Sequence, residues 1–203
     1  MFVSFEGLDG SGKTTQAELL AAALAQEGRD VVLTREPGGT PLGEEIRRLI
    51  LMGGGMAPWT EAMLFSAARA ELVDRVIGPA LERGADVVCD RYLDSSLAYQ
   101  GIARGLGVDR VLQLNLSAIR GHLPDRTFLL LVDPDESARR VGGDTDRIER
   151  EQTSFRDEVD RAYRELALTF GQRIRTLDGT QRPDELAHEV LEQLRDLVTQ
   201  TQA

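Results

Sequence analysis

This sequence predicts an α/β fold, a five-stranded parallel sheet with helices on both faces, and two observations carry the prediction. Short, continuously apolar runs alternate with longer amphipathic ones, and uninterrupted apolar strands belong to parallel sheets buried on both faces. A glycine-rich turn, GLDGSGKTT (7–15), joins the first apolar run to the first helical one. At 203 residues the chain is long enough for one substantial core. Residues 1–203 are read as a single domain, with neither repeats nor a low-complexity linker.

The elements follow in order. Residues 2–6 form a short apolar run that ends in the glycine-rich turn, a buried strand. Residues 13–26 are rich in Ala, Leu, Gln and Glu, and Gly28 stops them, so they read as a helix. DVVLT (30–34) is the second strand. A helix over 41–51 starts with Pro in its first turn. Residues 60–83 read as one long helix with Thr60 as its N-cap. DVVC (86–89) is the third strand, 109–117 a short helix and RTFLLLV (126–132) the fourth strand. Over 149–170, Phe155, Val159, Ala162, Tyr163, Leu166 and Phe170 recur at helical spacing, and Gly171 ends the run. The fifth strand is 173–177. The last helix is 183–198, with Asp184 and Glu185 in its first turn, where a helix favours negative charge. In such sheets ligands bind outside the carboxyl ends of the strands. The segments after Glu6, Thr34, Cys89 and Val132 emerge at that edge.

Composition narrows the function classes. The hydrophobic fraction of 41% and charged fraction of 29% are those of an ordinary globular chain. A net charge of −10 argues against nucleic acid as a partner, because phosphate-backbone affinity rests on Lys and Arg. A small anion can still be held where arginines converge. Cys89 is the only cysteine, so no internal disulfide forms, which fits a reducing compartment. Its place in a strand marks it as a core residue. The N-terminus lacks a signal-peptide pattern, and no stretch approaches the ~20 apolar residues of a membrane span. The expectation is a cytoplasmic protein with no membrane partner. His122 and His188 have no partner pattern, and neither a zinc spacing nor a nucleophile triad is visible.

GLDGSGKT matches G-x-x-x-x-G-K-[ST] from Gly7 to Thr14, with a strand before it and a helix after it, which is the context the phosphate loop (P-loop) requires. Gly7, Gly10 and Gly12 let the backbone of Leu8, Asp9 and Ser11 turn so that N–H groups face phosphate oxygens. The following helix adds the positive end of its dipole, and Thr14 can offer a hydroxyl to Mg²⁺. Lys13 is the only lysine among the 24 basic residues. Everywhere else the chain uses Arg. A compact ammonium fits between the β and γ phosphates, where the wider guanidinium fork would misplace the charge. The fold class is thus that of P-loop NTPases. The loop does not by itself choose among kinases, GTPases and ATPases. Guanine-binding switches usually carry N-K-x-D; with Asn115 as the only Asn and no second Lys, that motif is absent.

Four further stretches point to an acceptor: TREPGGT (34–40), FSAAR (65–69), DRYLDSSLAYQ (90–100) and DRIE (146–149). Phe65 and Arg69 are four residues apart, on one helix face. A flat ring and a planar guanidinium there can stack on a base and donate to its carbonyl. From spacing alone a core Phe and a surface Arg is the simpler reading. Asp90 and Arg91 follow a strand, a typical active-site placement that also suits a structural ion pair. Tyr99 fits equally as core filler.

Together with the P-loop, these motifs resemble the thymidylate kinase family in order and spacing over nearly the whole chain. The resemblance implies transfer of the γ-phosphoryl of ATP to dTMP, giving dTDP and ADP, with Mg²⁺ required and a homodimer as the usual assembly. It implies that Phe65 stacks on thymine and Arg69 contacts its O4, while Ser96 and Gln100 read the base edge. Tyr99 would pack where a ribose 2′-OH would sit, favouring deoxyribose. Arg91 and Arg35 would hold the acceptor phosphate, with Arg47 a weaker candidate. Asp9 would contact the sugar hydroxyl and lie near the metal. The catalytic set is Lys13, Asp9, Arg91 and a lid arginine.

Phosphoryl transfer needs positive charge around the moving group. Leu8, Asp9 and Ser11 leave the P-loop itself without an Arg, so the resemblance is to the subtype that carries this Arg in a lid, here 136–149. The position before the family's lid glycine is often Arg, whereas this chain has Gly142 and Gly143. Arg140 is therefore favoured, then Arg139, with Arg147 also available, and the double Gly reads as a hinge. Asp146 and Glu149 match acids at the lid end, Glu149 acting on Mg²⁺ through water. Both read equally as a solvated helix start. The rivals are another nucleotide kinase of the same fold, a regulatory switch and a noncatalytic nucleotide-binding module.

Overall fold

The computed structural model describes residues 1–141, 146–148 and 150–201, with side chains through 195. Five parallel strands form one sheet in the order β2-β3-β1-β4-β5. They are β1 (Phe2–Gly7), β2 (Val31–Arg35), β3 (Asp86–Asp90), β4 (Arg126–Leu131) and β5 (Ile174–Asp178). Each lies within a residue of its expected place. Every strand is short and apolar and is followed by a turn, so its ends are marked on both sides.

Strand alternation sends successive side chains to opposite faces. One face of the sheet (Phe2, Val87, Cys89, Leu129) packs against Leu72, Ile77, Tyr92, Val159, Tyr163 and Leu166. The other (Val3, Phe5, Val88, Phe128, Leu130) packs against α1 (Lys13–Gln26) and α9 (Pro183–Thr201) through Leu20, Leu24, Leu186, Val190 and Leu194. Cys89 is buried, as its strand position implied.

Three helical expectations change. The helix α3 (Pro58–Leu72) has Ala57, not Thr60, as its N-cap. Pro58 starts it, because Pro presets φ and needs no N–H partner in the first turn. The expected single helix over 60–83 is divided. A π-helical turn, Val73–Ile77, separates α3 from α4 (Gly78–Glu82). Pro79 has no N–H for the ladder, and a wider turn just before it accommodates the ring. The helix α8 (Thr153–Thr169) starts after, not at, residue 149. The remaining helices are α2 (Pro41–Met52), α5 (Leu93–Ser96), α6 (Val108–Ile119) and α7 (Pro134–Arg140). A second π-helical turn, Leu97–Ala103, continues α5. Neither α5 with its extension nor α7 was foreseen as helix.

Candidate active site

The turn 8–12 between β1 and α1 lies against β4 and α7. A Cβ on Gly7 would meet the Leu130 carbonyl oxygen at 2.5 Å, and one on Gly10 the Ser137 carbonyl oxygen at 2.8 Å. Both glycines are required by contact as well as by positive φ. The Ser137 hydroxyl donates to the Asp9 carbonyl at 2.5 Å, so α7 is fastened to the loop.

Lys13 is 6% exposed. Its Nζ donates to the Leu8 carbonyl at 2.7 Å and lies 3.7 Å from Asp9 Oδ1. Burial draws its pKa down to about 8, with Arg91 adding to the fall and Asp9, Asp90 and Glu6 opposing it. Thr14 Oγ1 donates to Asp90 Oδ2 at 2.5 Å, while Asp90 Oδ1 is buried with no hydrogen-bond partner. A loop hydroxyl beside a strand-end aspartate with a spare oxygen is the donor set that P-loop proteins use for Mg²⁺. Among the described residues there is no cluster of three or more His, Cys, Asp or Glu that would form a closed metal cage. Mg²⁺ does not need one, because it keeps waters and phosphate oxygens as ligands. The residues therefore fit the cation. Asp90 was not among the metal candidates read from the sequence, although the apolar run DVVC ending in Asp was a readable signal.

Arg91 stands at the meeting point. Its φ is +68°, in the left-handed region that non-glycine residues avoid, at a cost of order 1–2 kcal/mol. The neighbouring strands hold that turn: Arg91 N–H donates to the Phe5 carbonyl at 2.9 Å, and the Cys89 thiol donates to the Arg91 carbonyl at 3.0 Å. Its Nη2 donates to Asp9 Oδ1 at 2.5 Å, and its Nη1 to Ser95 Oγ and to Tyr163 Oη, each at 3.1 Å. The guanidinium lies 5.5 Å from the Tyr99 ring centroid. Burial alone would raise the Asp9 pKa, but Arg91 and Lys13 override it and hold the carboxyl well below the usual carboxylate range. Asp9 is thus an anion at any working pH.

Two hollows share Asp9, Glu36, Arg47 and Arg91 as a common wall. One lies over the P-loop and is lined also by Lys13, Thr14, Arg35, Asp90 and Arg140. The other, about 490 Å³ with its open mouth, is lined also by Phe65, Ser95, Tyr99, Gln100 and Ile148. Gln100 is oriented by donating to Glu61 at 2.8 Å. Tyr99 sits edge-on to Phe155 and Tyr163. Arg35 is held bidentately by Glu44 at 2.9 and 3.0 Å, and Arg47 donates to the Pro37 carbonyl.

Two residues read from the sequence as base contacts do not line either hollow. Arg69 is 1% exposed, and all five of its N–H groups have protein acceptors. It donates twice to Glu36 (2.8 and 2.5 Å), and to Ser96 Oγ (3.0 Å), Asn115 Oδ1 (2.5 Å) and the Tyr92 carbonyl (3.0 Å). Ser96 is consumed in the same cluster. In this conformation both lie beneath the wall, not on it. Burial pushes the Glu36 pKa up to about 7 against the pull of Arg69.

The lid arginines separate clearly. Arg140 lines the P-loop hollow and is held by Glu136 at 2.9 Å and by the Gly179 carbonyl at 3.0 Å. Arg139 is 72% exposed and paired with Glu136. Arg147 points to the far end, donating to Glu61 at 2.7 Å and to the Ile50 carbonyl at 2.8 Å. Asp146 lines the second hollow. Glu149, Gly142 and Gly143 lie outside the described residues.

A P-loop, a hydroxyl–aspartate pair for a divalent cation and an arginine-rimmed second cavity on one wall define a nucleotide-dependent phosphotransferase of the α/β class. The thymidylate kinase family model matches residues 5–190. The chain is 46% identical to a thymidylate kinase of Symbiobacterium thermophilum over 193 residues, 94% of this chain and 90% of that one. It is 50% identical to a thymidylate kinase of Bifidobacterium longum over 186 residues, 89% and 90% of the two chains. The solved thymidylate kinase of Ehrlichia chaffeensis superposes with a TM-score of 0.80 at 35% identity, covering 96% of this chain and 98% of that one. The chain belongs to the thymidylate kinase family.

Proposed function

We propose that the two hollows are the donor and acceptor halves of a dTMP kinase site. The chain phosphorylates dTMP to dTDP, a step of dTTP synthesis, with ATP as the phosphoryl donor. The β and γ phosphates of ATP lie over the P-loop on the N–H groups of Gly7–Thr14, with Lys13 between them. Lys13 leaves the Leu8 carbonyl to reach them. Thr14 and Asp90 would hold Mg²⁺, which would supply neutralisation of the phosphate charge. Asp9 keeps Arg91 aimed and accepts from the dTMP sugar hydroxyl, which leaves its metal contact indirect.

The acceptor phosphate rests on Arg91, with Arg35 and Arg47 beside it. Its oxygen is already anionic, so no strong protein base is needed. The base reaches toward Phe65 and Gln100, and Tyr99 limits room at the 2′ position. Arg69 and Ser96 support the wall from behind. Arg140 supplies positive charge to the transferring group. Holding donor and acceptor on one wall makes the reaction effectively unimolecular, and excluding water leaves the acceptor oxygen as the nucleophile in line. The carrying observation is that wall, on which Asp9 and Arg91 belong to both hollows.

A homodimer belongs to this reading. The contacting helices α2, α3 and α6 each expose large apolar side chains, among them Met52, Met63 and Leu116. Sedimentation should give twice the chain mass. Cytoplasmic placement also belongs to this reading, as does the absence of nucleic-acid and membrane partners; no helix among the described residues is long and apolar enough to cross a membrane. The test is ADP release with ATP, Mg²⁺ and, separately, dTMP, dUMP, dCMP, GMP, CMP and thymidine. Strong turnover with dTMP, weaker with dUMP and none with the rest is expected. Preference for another acceptor would overturn the roles of Phe65, Tyr99 and Gln100.

A further inference from the structure

We propose that Glu6, buried on the central strand, is a positioning residue for Arg91, acting through the hydroxyls of Ser95 and Tyr163. This rests on Arg91 holding the acceptor phosphate. Glu6 ends the apolar run of β1 and is fully buried. A buried carboxylate is costly unless each oxygen is satisfied, and here each is. Oε1 accepts from the backbone N–H of Tyr92 at 2.8 Å and of Ser95 at 3.2 Å. Oε2 accepts from Ser95 Oγ at 2.6 Å and Tyr163 Oη at 2.9 Å.

Proton counting restricts the direction of the network at Arg91. Arg91 Nη1 can only donate, so Ser95 Oγ and Tyr163 Oη must accept from it. Each hydroxyl then has one proton left to give. The acceptor both share is Glu6 Oε2. The two hydroxyls lie 2.9 Å apart with their lone pairs toward Arg91. As a carboxylate, Glu6 leaves the lone pairs of both hydroxyls to pin Nη1, while Asp9 pins Nη2; burial and Asp94 push the Glu6 pKa up, and Arg91 with the Ser95 and Tyr92 hydrogen bonds holds it down. Of the two N–H hydrogens that remain, one can meet the Tyr99 hydroxyl, and the other is left for a phosphate in the hollows that Arg91 lines.

A glutamine at position 6 keeps the shape but not the polarity. With its amide oxygen on the two backbone N–H groups, its NH₂ would donate to the hydroxyls. Their protons would then turn on Arg91. With the amide reversed, the NH₂ would face two N–H donors. Either arrangement loosens the guanidinium.

The test is a double-substitution cycle of Glu6→Gln and Arg91→Ala, with kcat and KM measured for both substrates and Tm recorded. Glu6→Gln should lower kcat/KM for dTMP on the order of 10–100-fold, leaving KM for ATP within about twofold. In the Arg91→Ala background it should change kcat/KM for dTMP by less than about twofold, because the residue it acts through is gone. Tyr163→Phe removes one of the two acceptors and should act in the same direction with a smaller effect; its own cycle with Arg91→Ala decides the matter if Glu6→Gln does not fold. Native kcat/KM for dTMP in folded Glu6→Gln, or independent effects in the double variant, would overturn the proposal. Native dTMP kinetics in Arg91→Ala alone would instead overturn the acceptor-phosphate reading on which it rests.

Discussion

The two proposed halves of the site, donor and acceptor, are built in opposite ways. The donor half is a contiguous backbone device: one loop, 7–14, supplies turn, N–H groups, lysine and hydroxyl, and one strand-end aspartate completes it. The acceptor half is a side-chain device. Phe65 comes from α3, Arg91 from the turn after β3, Tyr99 and Gln100 from a π-helical turn, and Arg47 from α2. The first kind of site recognises what all nucleoside triphosphates share. A site of the second kind can select one base and sugar, and its side chains need a second layer to aim them. Glu61 does this for Gln100, and Glu6, through hydroxyls, is proposed to do it for Arg91.

If the halves are separable, substitutions should damage one at a time. Lys13→Ala should remove turnover on the order of 10³-fold while dTMP affinity by calorimetry stays within about twofold. Parallel loss of dTMP binding would break the division. Arg140→Ala should lower kcat on the order of 10²-fold, and Arg139→Ala by less than about threefold, since Arg139 faces solvent. The reverse ranking would move the catalytic role back along α7. Phe65→Ala should raise KM for dTMP about tenfold, in line with stacking contributions of ~1–3 kcal/mol, with KM for ATP unchanged.

The smallest effect is in pH. The Lys13 ammonium loses its proton as pH rises through about 8 in the free enzyme. Hence kcat/KM for ATP should fall toward tenfold per unit above that pH. At saturating ATP the phosphates stabilise the ammonium, so kcat/KM for dTMP should stay flat across the same window. A fall in both at pH 8 would place the titrating group elsewhere.

The same contrast decides what could be read from the sequence. Strands were legible because each is a short apolar run that a turn cuts off. The helix after β3 was not, because DSSLAYQ is buried through its polar groups. Asp94 binds Arg173, Ser95 binds Glu6, Ser96 takes Arg69 and Gln100 meets Glu61. Hydrophobic periodicity cannot register such a helix. The helix α7 did carry a start signal, Asp133 as N-cap ahead of Pro134, its carboxylate accepting from the Asp135 and Glu136 N–H groups, but it was read only as part of a lid. The phosphate loop was legible in full because its function is local in sequence. Arg69 was read on one helix face with Phe65, where spacing alone does not reveal its protein neighbours. Its partners come from positions 36, 92, 96 and 115, and no spacing rule joins them. Asp90 was seen as a charged strand end, but its partnership with Thr14 needed the register of β1 and β3.

The most direct test of the division is a crossed calorimetric titration of Lys13→Ala and Phe65→Ala with dTMP and, separately, a nonhydrolysable ATP analogue with Mg²⁺. The account predicts that Lys13→Ala loses the triphosphate and keeps dTMP, and that Phe65→Ala does the reverse. If either substitution weakens both ligands alike, the two hollows are not separate halves of one site, and the assignment of donor and acceptor to them is wrong.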